Sequence, residues 1–188
     1  MAKKTMESKI LNIIKKRRSI RKFLSKDIEE EKFNAVLESA RLAPSSSNSQ
    51  PWHFVVVKEK DLIKKLSRCG PLNINSIISW METAPVVIVA LTRPGLMHKI
   101  SGLVSTDCHL LDMGIAIEHM VLTAEDLGLG SCWIGWIDNK KVKKLLEIPK
   151  EYEVAAMLPI GYPDPSYEPH QKSRKSLREI TSINRFAK

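Results

Sequence analysis

The sequence predicts a single domain that mixes helices and strands, on three observations. At 188 residues and 43% hydrophobic content the chain fits one domain with a sizeable core. Apolar residues recur at helical spacing over 7–17, 29–43 and 105–127. Short apolar runs of strand type occupy 53–58, 84–91 and 152–160. No apolar run approaches the roughly 20 residues of a membrane-spanning helix.

In chain order, Ile10, Leu11, Ile13 and Ile14 alternate with Lys9, Asn12, Lys15 and Lys16, an amphipathic helix. The next helix puts Phe33, Val36, Leu37 and Ala40 on one face and acids in its first turn. After the strand at 53–58, Asp61 to Arg68 reads as a short helix, and 69–83 shows no clear pattern. Ala84 to Leu91, a continuous apolar run, reads as a strand buried on both faces. The centre of the 105–127 helix is apolar nearly all round, interrupted only by Asp112, Glu118 and His119. Such a helix must be buried on every side, and in a chain this short one side is expected to pack on a second subunit. Gly128 reads as its C′ residue, 131–137 as a strand, and Asp138 as the cap of a short helix over 139–146. From Ser166 to Lys188 the chain is polar, basic and weakly periodic.

Between the second helix and the first strand lies Ala43–Phe54, APSSSNSQPWHF. Pro44 and Pro51 stiffen its ends, and every other side chain from Ser45 to Gln50 can donate and accept hydrogen bonds. Such a loop suits a ligand with many hydrogen-bonding edges, and equally an ordinary surface connection. Arg17, Arg18, Ser19, Ile20 and Arg21 pose a similar choice: three guanidiniums and a hydroxyl can grip a phosphate, yet alone they read first as a solvated basic helix end.

The net charge of +9 sits at the ends. Residues 1–26 hold ten Lys/Arg against one acid, and 166–188 hold six against two, leaving −4 between them. Few rings accompany these basic zones, so a single-strand nucleic-acid platform is a poorer match than a small phosphorylated ligand. Cys69, Cys108 and Cys132 are odd in number and lack CxxC spacing, against a disulfide framework. With no signal-peptide pattern in MAKKTMESKI, the expectation is a cytoplasmic protein. His109 and His119 stand ten apart with no carboxylate to complete a metal spacing and read as packing or surface residues. Cys132 reads as an inert buried thiol.

PSSSNSQPWHF (44–54), RRSIR (17–21), GLGSCWIG (128–135) and KSR (172–174) together resemble the FMN-dependent nitroreductase family. The resemblance covers nearly the whole chain. It implies an α+β nitroreductase-like fold, a central mostly antiparallel sheet flanked by helices, in an interlocked homodimer with C-terminal arm exchange. Residues 1–165 would form the FMN-binding domain and 166–188 an arm wrapping the partner subunit. Arg17 and Ser19 would contact the FMN phosphate, with Arg18 adjacent, and Arg21 would reach the N1/O2 edge of the flavin. Pro44, Ser45, Ser46 and Asn48 would form the signature loop, contributed across the interface. Asn75, in preference to Asn73, would turn its amide to the ring. Ile134 and Gly135 would lay backbone on one flavin face with an N–H toward N5. Lys172 and Arg174 would supply a second phosphate clamp.

The implied activity is ping-pong transfer of reducing equivalents from NAD(P)H through FMN to an organic acceptor such as a nitroaromatic or quinone. The cofactor carries that chemistry, and no catalytic side chain is assigned. Larger members carry a helical excursion near 92–104, where this chain has a short connection that would leave Met97 and His98 to line the site. Two alternatives stand beside this reading: a basic nucleic-acid-binding module using 1–26, and, within flavin chemistry, a flavin reductase or dehalogenase.

Overall fold

The computed structural model describes residues 8–95 and 108–186. Its helices, numbered among those residues, are α1 (Lys9–Lys16), α2 (Glu30–Arg41), α3 (Lys60–Leu66), α4 (Cys108–Asp126), α5 (Asn139–Leu145) and α6 (Leu177–Ile180). The strands are β1 (Trp52–Val57), β2 (Val86–Thr92), β3 (Gly130–Ser131) and β4 (Glu153–Gly161). They form one antiparallel sheet in the order β1-β2-β4-β3.

β2 is buried at every position, as its unbroken apolar run requires. Val86, Ile88 and Ala90 face α2 and α4, packing with Phe33, Val36, Met113, Ile117 and Met120. Val87, Val89 and Leu91 point the other way, toward Ile63, Leu66, Met81 and Val142 of α3, α5 and the segment between β1 and β2. The sheet is thus the middle of three layers. Residues 69–83, without a clear pattern in the sequence, fold as 3₁₀ turns at Pro71–Asn73, Asn75–Ile77 and Ser79–Thr83.

Local chemistry accounts for the helix ends. Ser8 caps α1 by accepting from Leu11 N–H, and Asp138 caps α5 by accepting from Lys141 N–H. α4 ends in a Schellman turn: Gly128 N–H donates to Glu125 O, Leu129 N–H donates to Ala124 O, and Gly128 has φ +74°.

One expectation needs correction. The strand over 131–137 is cut to Gly130–Ser131. Cys132 N–H still donates to Pro159 O at 3.3 Å, but Pro159 has no N–H to return the bond, so the ladder lapses there. It resumes in the same register at Ile134 and Met157, which exchange two 2.9 Å bonds. Within the chain α4 leaves Leu110, Leu111 and Ile115 44, 56 and 39% exposed, one uncovered side of the kind the sequence reading gives to a second subunit. The connection near 92–104, with Met97 and His98, lies mostly outside the described residues. None of the described helices is long and apolar enough to cross a membrane.

At the sheet's far end Tyr162 O–H donates to Glu29 at 2.5 Å and accepts from Lys32 Nζ at 2.7 Å. The Tyr162 hydroxyl, aided by Lys32 and Lys26, holds the Glu29 carboxyl down to about 2 from an ordinary 4.5. A depressed carboxyl stabilises the fold above its unfolded value and loses that contribution as pH falls toward the folded one. Tyr162→Phe should therefore lower Tm at pH 6, with the gap to wild type narrowing between pH 4.5 and about 2. Melting curves across that range check this; a gap that stays constant contradicts it.

Candidate functional site

The segment after α1 builds the site. Arg17 N–H closes α1 on Ile13 O, and the chain then runs extended. Ile20 N–H donates to Ser131 O at 3.0 Å, Phe23 N–H to Thr83 Oγ1 at 3.2 Å, and Leu24 N–H to Tyr162 O at 2.9 Å. Ile20 and Phe23 enter the core, while Arg21 and Lys22 stay exposed and Ser19 half-exposed. Gly130 opens the slot that receives Ile20: a Cβ there would lie 2.7 Å from Ile20 Cγ1.

The tail returns to the same place. Lys172 Nζ donates to Ile14 O at 2.9 Å and Lys15 O at 2.7 Å, and Arg18 donates to Lys15 O at 3.4 Å. Both cap carbonyls at the negative end of α1. Arg17, Arg18, Ser19 and Arg21 then line a cleft of about 200 Å³ with His170, Lys172 and Arg174, and no carboxylate among the described residues lines it. A neighbouring cavity of about 560 Å³ shares Arg17, Ser19, Lys172 and Arg174 and adds Ser131, Trp133 and Glu118.

The charges are crowded. Desolvation first, then Arg18, Arg17 and Arg174, push the Lys172 ammonium below its ordinary range. Arg21 is pushed up, chiefly by a hydrogen bond with the Tyr167 side chain, and lies 5.9 Å from the Trp80 ring centroid. Burial raises the Glu118 carboxyl more than Arg17 lowers it. A bound phosphate would relieve this repulsion with charge-assisted hydrogen bonds. Cys132 is buried, and burial pushes its thiol up despite the nearby Arg21 and Arg17, leaving it a poor nucleophile.

The signature loop lies elsewhere in the chain, and neither cleft takes a residue from 44–50. Ser47, Asn48 and Gln50 have φ of 53°, 51° and 46°, left-handed values that cost roughly 1–2 kcal/mol per residue. Internal bonds hold this shape. Ser46 N–H and Oγ–H both donate to Asp112 Oδ1 at 3.0 Å, and Gln50 N–H donates to Ser45 Oγ at 2.9 Å. Hydrogen bonds to a charged partner are worth about 1.5–3 kcal/mol each, enough to offset much of the strain.

Asn75, Ile134 and Gly135 also stand outside both clefts. Asn75 Oδ1 is buried and finds no hydrogen-bond partner among the described residues, an acceptor awaiting a donor. Ile134 is buried, whereas Gly135 is exposed, a Cβ there meeting only Trp133 Nε1 at 3.7 Å. Of Asn73 only the backbone is described. His119 Nδ1 lies 3.1 Å from Ser39 O, and His109 is buried with Glu153 at 3.5 Å.

One chain therefore unites Arg17, Arg18, Ser19, Arg21, Lys172 and Arg174, and leaves Pro44, Ser45, Ser46, Asn48, Asn75, Ile134 and Gly135 apart from them. Sequence reasoning passed over Asp112, Glu118, Trp133, Tyr167 and His170. Only Asp112 and Glu118 carried a signal, as charges inside an otherwise apolar helix. Gly130→Ala should cost roughly 1–3 kcal/mol by overpacking the Ile20 slot. Urea unfolding measures this, and an unchanged midpoint would show that Ile20 does not need the space.

The profile described as the nitroreductase family matches residues 14–69 and 75–162. A putative NADH dehydrogenase/NAD(P)H nitroreductase of Archaeoglobus fulgidus is 33% identical over 157 residues, covering 81% of this chain and 84% of that protein. Its namesake in Methanothermobacter thermautotrophicus is 31% identical over 164 residues, covering 85% and 80%. An FMN-dependent nitroreductase structure from Clostridium difficile superposes with TM-score 0.78 at 31% identity, covering 94% of this chain and 99% of that one. With the profile spanning most of the sequence and the fold shared, the chain belongs to the nitroreductase family.

Proposed function

We propose that this chain is an NAD(P)H-dependent oxidoreductase that works with FMN as a homodimer and reduces a small organic acceptor, a nitroaromatic or a quinone. The observation that carries the reading is the carboxylate-free cleft where 17–21 and 172–174 converge. Its small size fits a phosphate, and its cations meet at one point, whereas a nucleic-acid surface would spread them along a groove. Arg17, Ser19, Lys172 and Arg174 would hold the phosphate, with Arg18 beside them.

Bound FMN would supply the redox chemistry, taking hydride from NAD(P)H and passing reducing equivalents to the acceptor in a ping-pong cycle. The residues bind and tune. Arg21 offers positive charge to the N1/O2 edge, where negative charge accumulates on reduction. Asn75 Oδ1 offers an acceptor and Gly135 an exposed backbone, whereas Ile134 is buried with its N–H and O both bonded to Met157.

The dimer follows from what one chain leaves uncovered. Leu110, Leu111 and Ile115 line α4, and Ile10, Leu11 and Ile14 line α1, all 39–65% exposed. Leu177, Ile180, Ile183 and Phe186 along the tail are 61–88% exposed. Apolar surface of that extent calls for a partner, and the tail would embrace it as an exchanged arm.

The pure protein should be a yellow dimer holding about one FMN per subunit. Arg17→Ala or Arg174→Ala should leave the dimer folded and weaken FMN about ten- to 150-fold, one charged hydrogen bond. Riboflavin, which lacks the phosphate, should lose less. Equal losses for both ligands would show that these arginines do not hold the phosphate. A colourless monomer indifferent to added FMN would overturn the proposal.

A further inference from the structure

Ser46 sits in the middle of the signature loop, yet both its donors are spent inside the protein. Its N–H and Oγ–H converge on the same oxygen, Asp112 Oδ1, each at 3.0 Å. Asp112 lies in the first half of α4 and is 3% exposed, so it is shut away from solvent and from any ligand the loop meets. A carboxylate is an unusual choice for an apolar helix interior, where it costs desolvation unless hydrogen bonds repay it. Here it holds a loop whose backbone is left-handed at Ser47, Asn48 and Gln50.

We propose that Asp112 is a positioning residue for the cofactor loop: its buried oxygen latches Ser46, and this latch presents Ser45 and Asn48 to the flavin. This rests on the FMN reading above. Ser46 then serves as the latch and makes no flavin contact through its hydroxyl proton. Ser45 and Asn48 are better placed to meet a ligand. Ser45 Oγ accepts from Gln50 N–H, which leaves its own proton to donate. Asn48 Oδ1 accepts from Gln50 Nε2, which leaves its amide N–H groups. Asp112 also shares its helix with the exposed Leu111 and Ile115, so the surface that would meet a partner subunit and the latch on the loop belong to one rigid element.

Two bonds ending on a single oxygen make the inference testable by a conservative change. Asp112→Asn keeps a carbonyl oxygen for both bonds and removes the charge. Asp112→Ala removes the acceptor altogether, and Ser46→Ala removes one bond of the two. Dissociation constants for FMN and riboflavin are measured on each folded variant, with melting temperature and oligomeric state alongside. Asp112→Ala should weaken both ligands by the same factor, about tenfold or more, since the proposal gives the phosphate to 17–19 and 172–174 and not to the loop. Asp112→Asn should stay within about threefold of wild type, and Ser46→Ala should fall between. A purely structural role would lower the melting temperature of Asp112→Ala and leave both dissociation constants alone, which would overturn the proposal. So would an Asp112→Asn variant as impaired as Asp112→Ala. Should Asp112→Ala fail to fold, Ser46→Ala decides: wild-type affinity there overturns the latch. A wild-type protein that binds neither ligand would instead overturn the FMN reading, a result separate from any difference among the variants.

Discussion

One backbone hydrogen bond, Ile20 N–H to Ser131 O, sets the geometry from which the cationic cleft follows. It draws an extended segment against the short edge strand β3, and the missing Cβ of Gly130 gives Ile20 room to sink. With Ile20 inside, pleating turns its neighbours Ser19 and Arg21 outward. Arg17 and Arg18 are fixed one step earlier, where α1 ends. The tail then docks through Lys172 on the last carbonyls of α1, so the helix dipole recruits the second half of the cluster. Pro159 has a part as well. By failing to return a hydrogen bond to Cys132 it breaks the regular ladder after β3, which the Ile134–Met157 pair resumes just before the exposed Gly135.

The electrostatics follow the same economy. The cluster tolerates its own repulsion because Lys172 donates to helix carbonyls and Arg21 bonds the Tyr167 side chain, while Lys172 remains below its ordinary range. An anion completes such an arrangement. The signature loop is built on a different plan, with backbone strain held down by a buried carboxylate and few charges of its own. Two regions of contrasting chemistry, one cationic and one rich in hydroxyls and amides, match the two ends of a flavin nucleotide. That they stand apart in one chain agrees with a site completed by a second.

Much of the fold was legible because it depends on short-range pattern. The apolar run of β2, the helical spacing of α1, α2 and α4, and the caps at Gly128 and Asp138 state their structure locally. The strand over 131–137 was misjudged because the residue that interrupts it, Pro159, lies on a neighbouring strand. α4 keeps an apolar side that this chain leaves open, because periodicity shows that a face is apolar and not whose surface covers it. In the site, Arg17–Arg21 and Lys172–Arg174 were found by motif, and their meeting is a tertiary fact. The Ser46–Asp112 pairing spans two motifs and could not be read from either. Cys132 reads as an inert buried thiol in the sequence, and it is one in the structure. Arg21 and Arg17 do approach it, and burial outweighs them.

The central claim is that each flavin site joins Arg17, Ser19 and Arg21 of one subunit to the signature loop of its partner, whose Ser45 and Asn48 meet the flavin while Ser46 holds the loop on Asp112. Mixed dimers test it most directly. One variant carries Arg17→Ala with Arg21→Ala, and the other carries Ser46→Ala with Asn48→Ala; each homodimer then has two damaged sites. Co-expressed with different tags and isolated as a heterodimer, the pair places all lesions in one site and leaves the other intact. The account predicts that the heterodimer recovers about half the FMN of the wild-type dimer. A heterodimer that binds no more FMN than either parent would show that each site is built within a single chain.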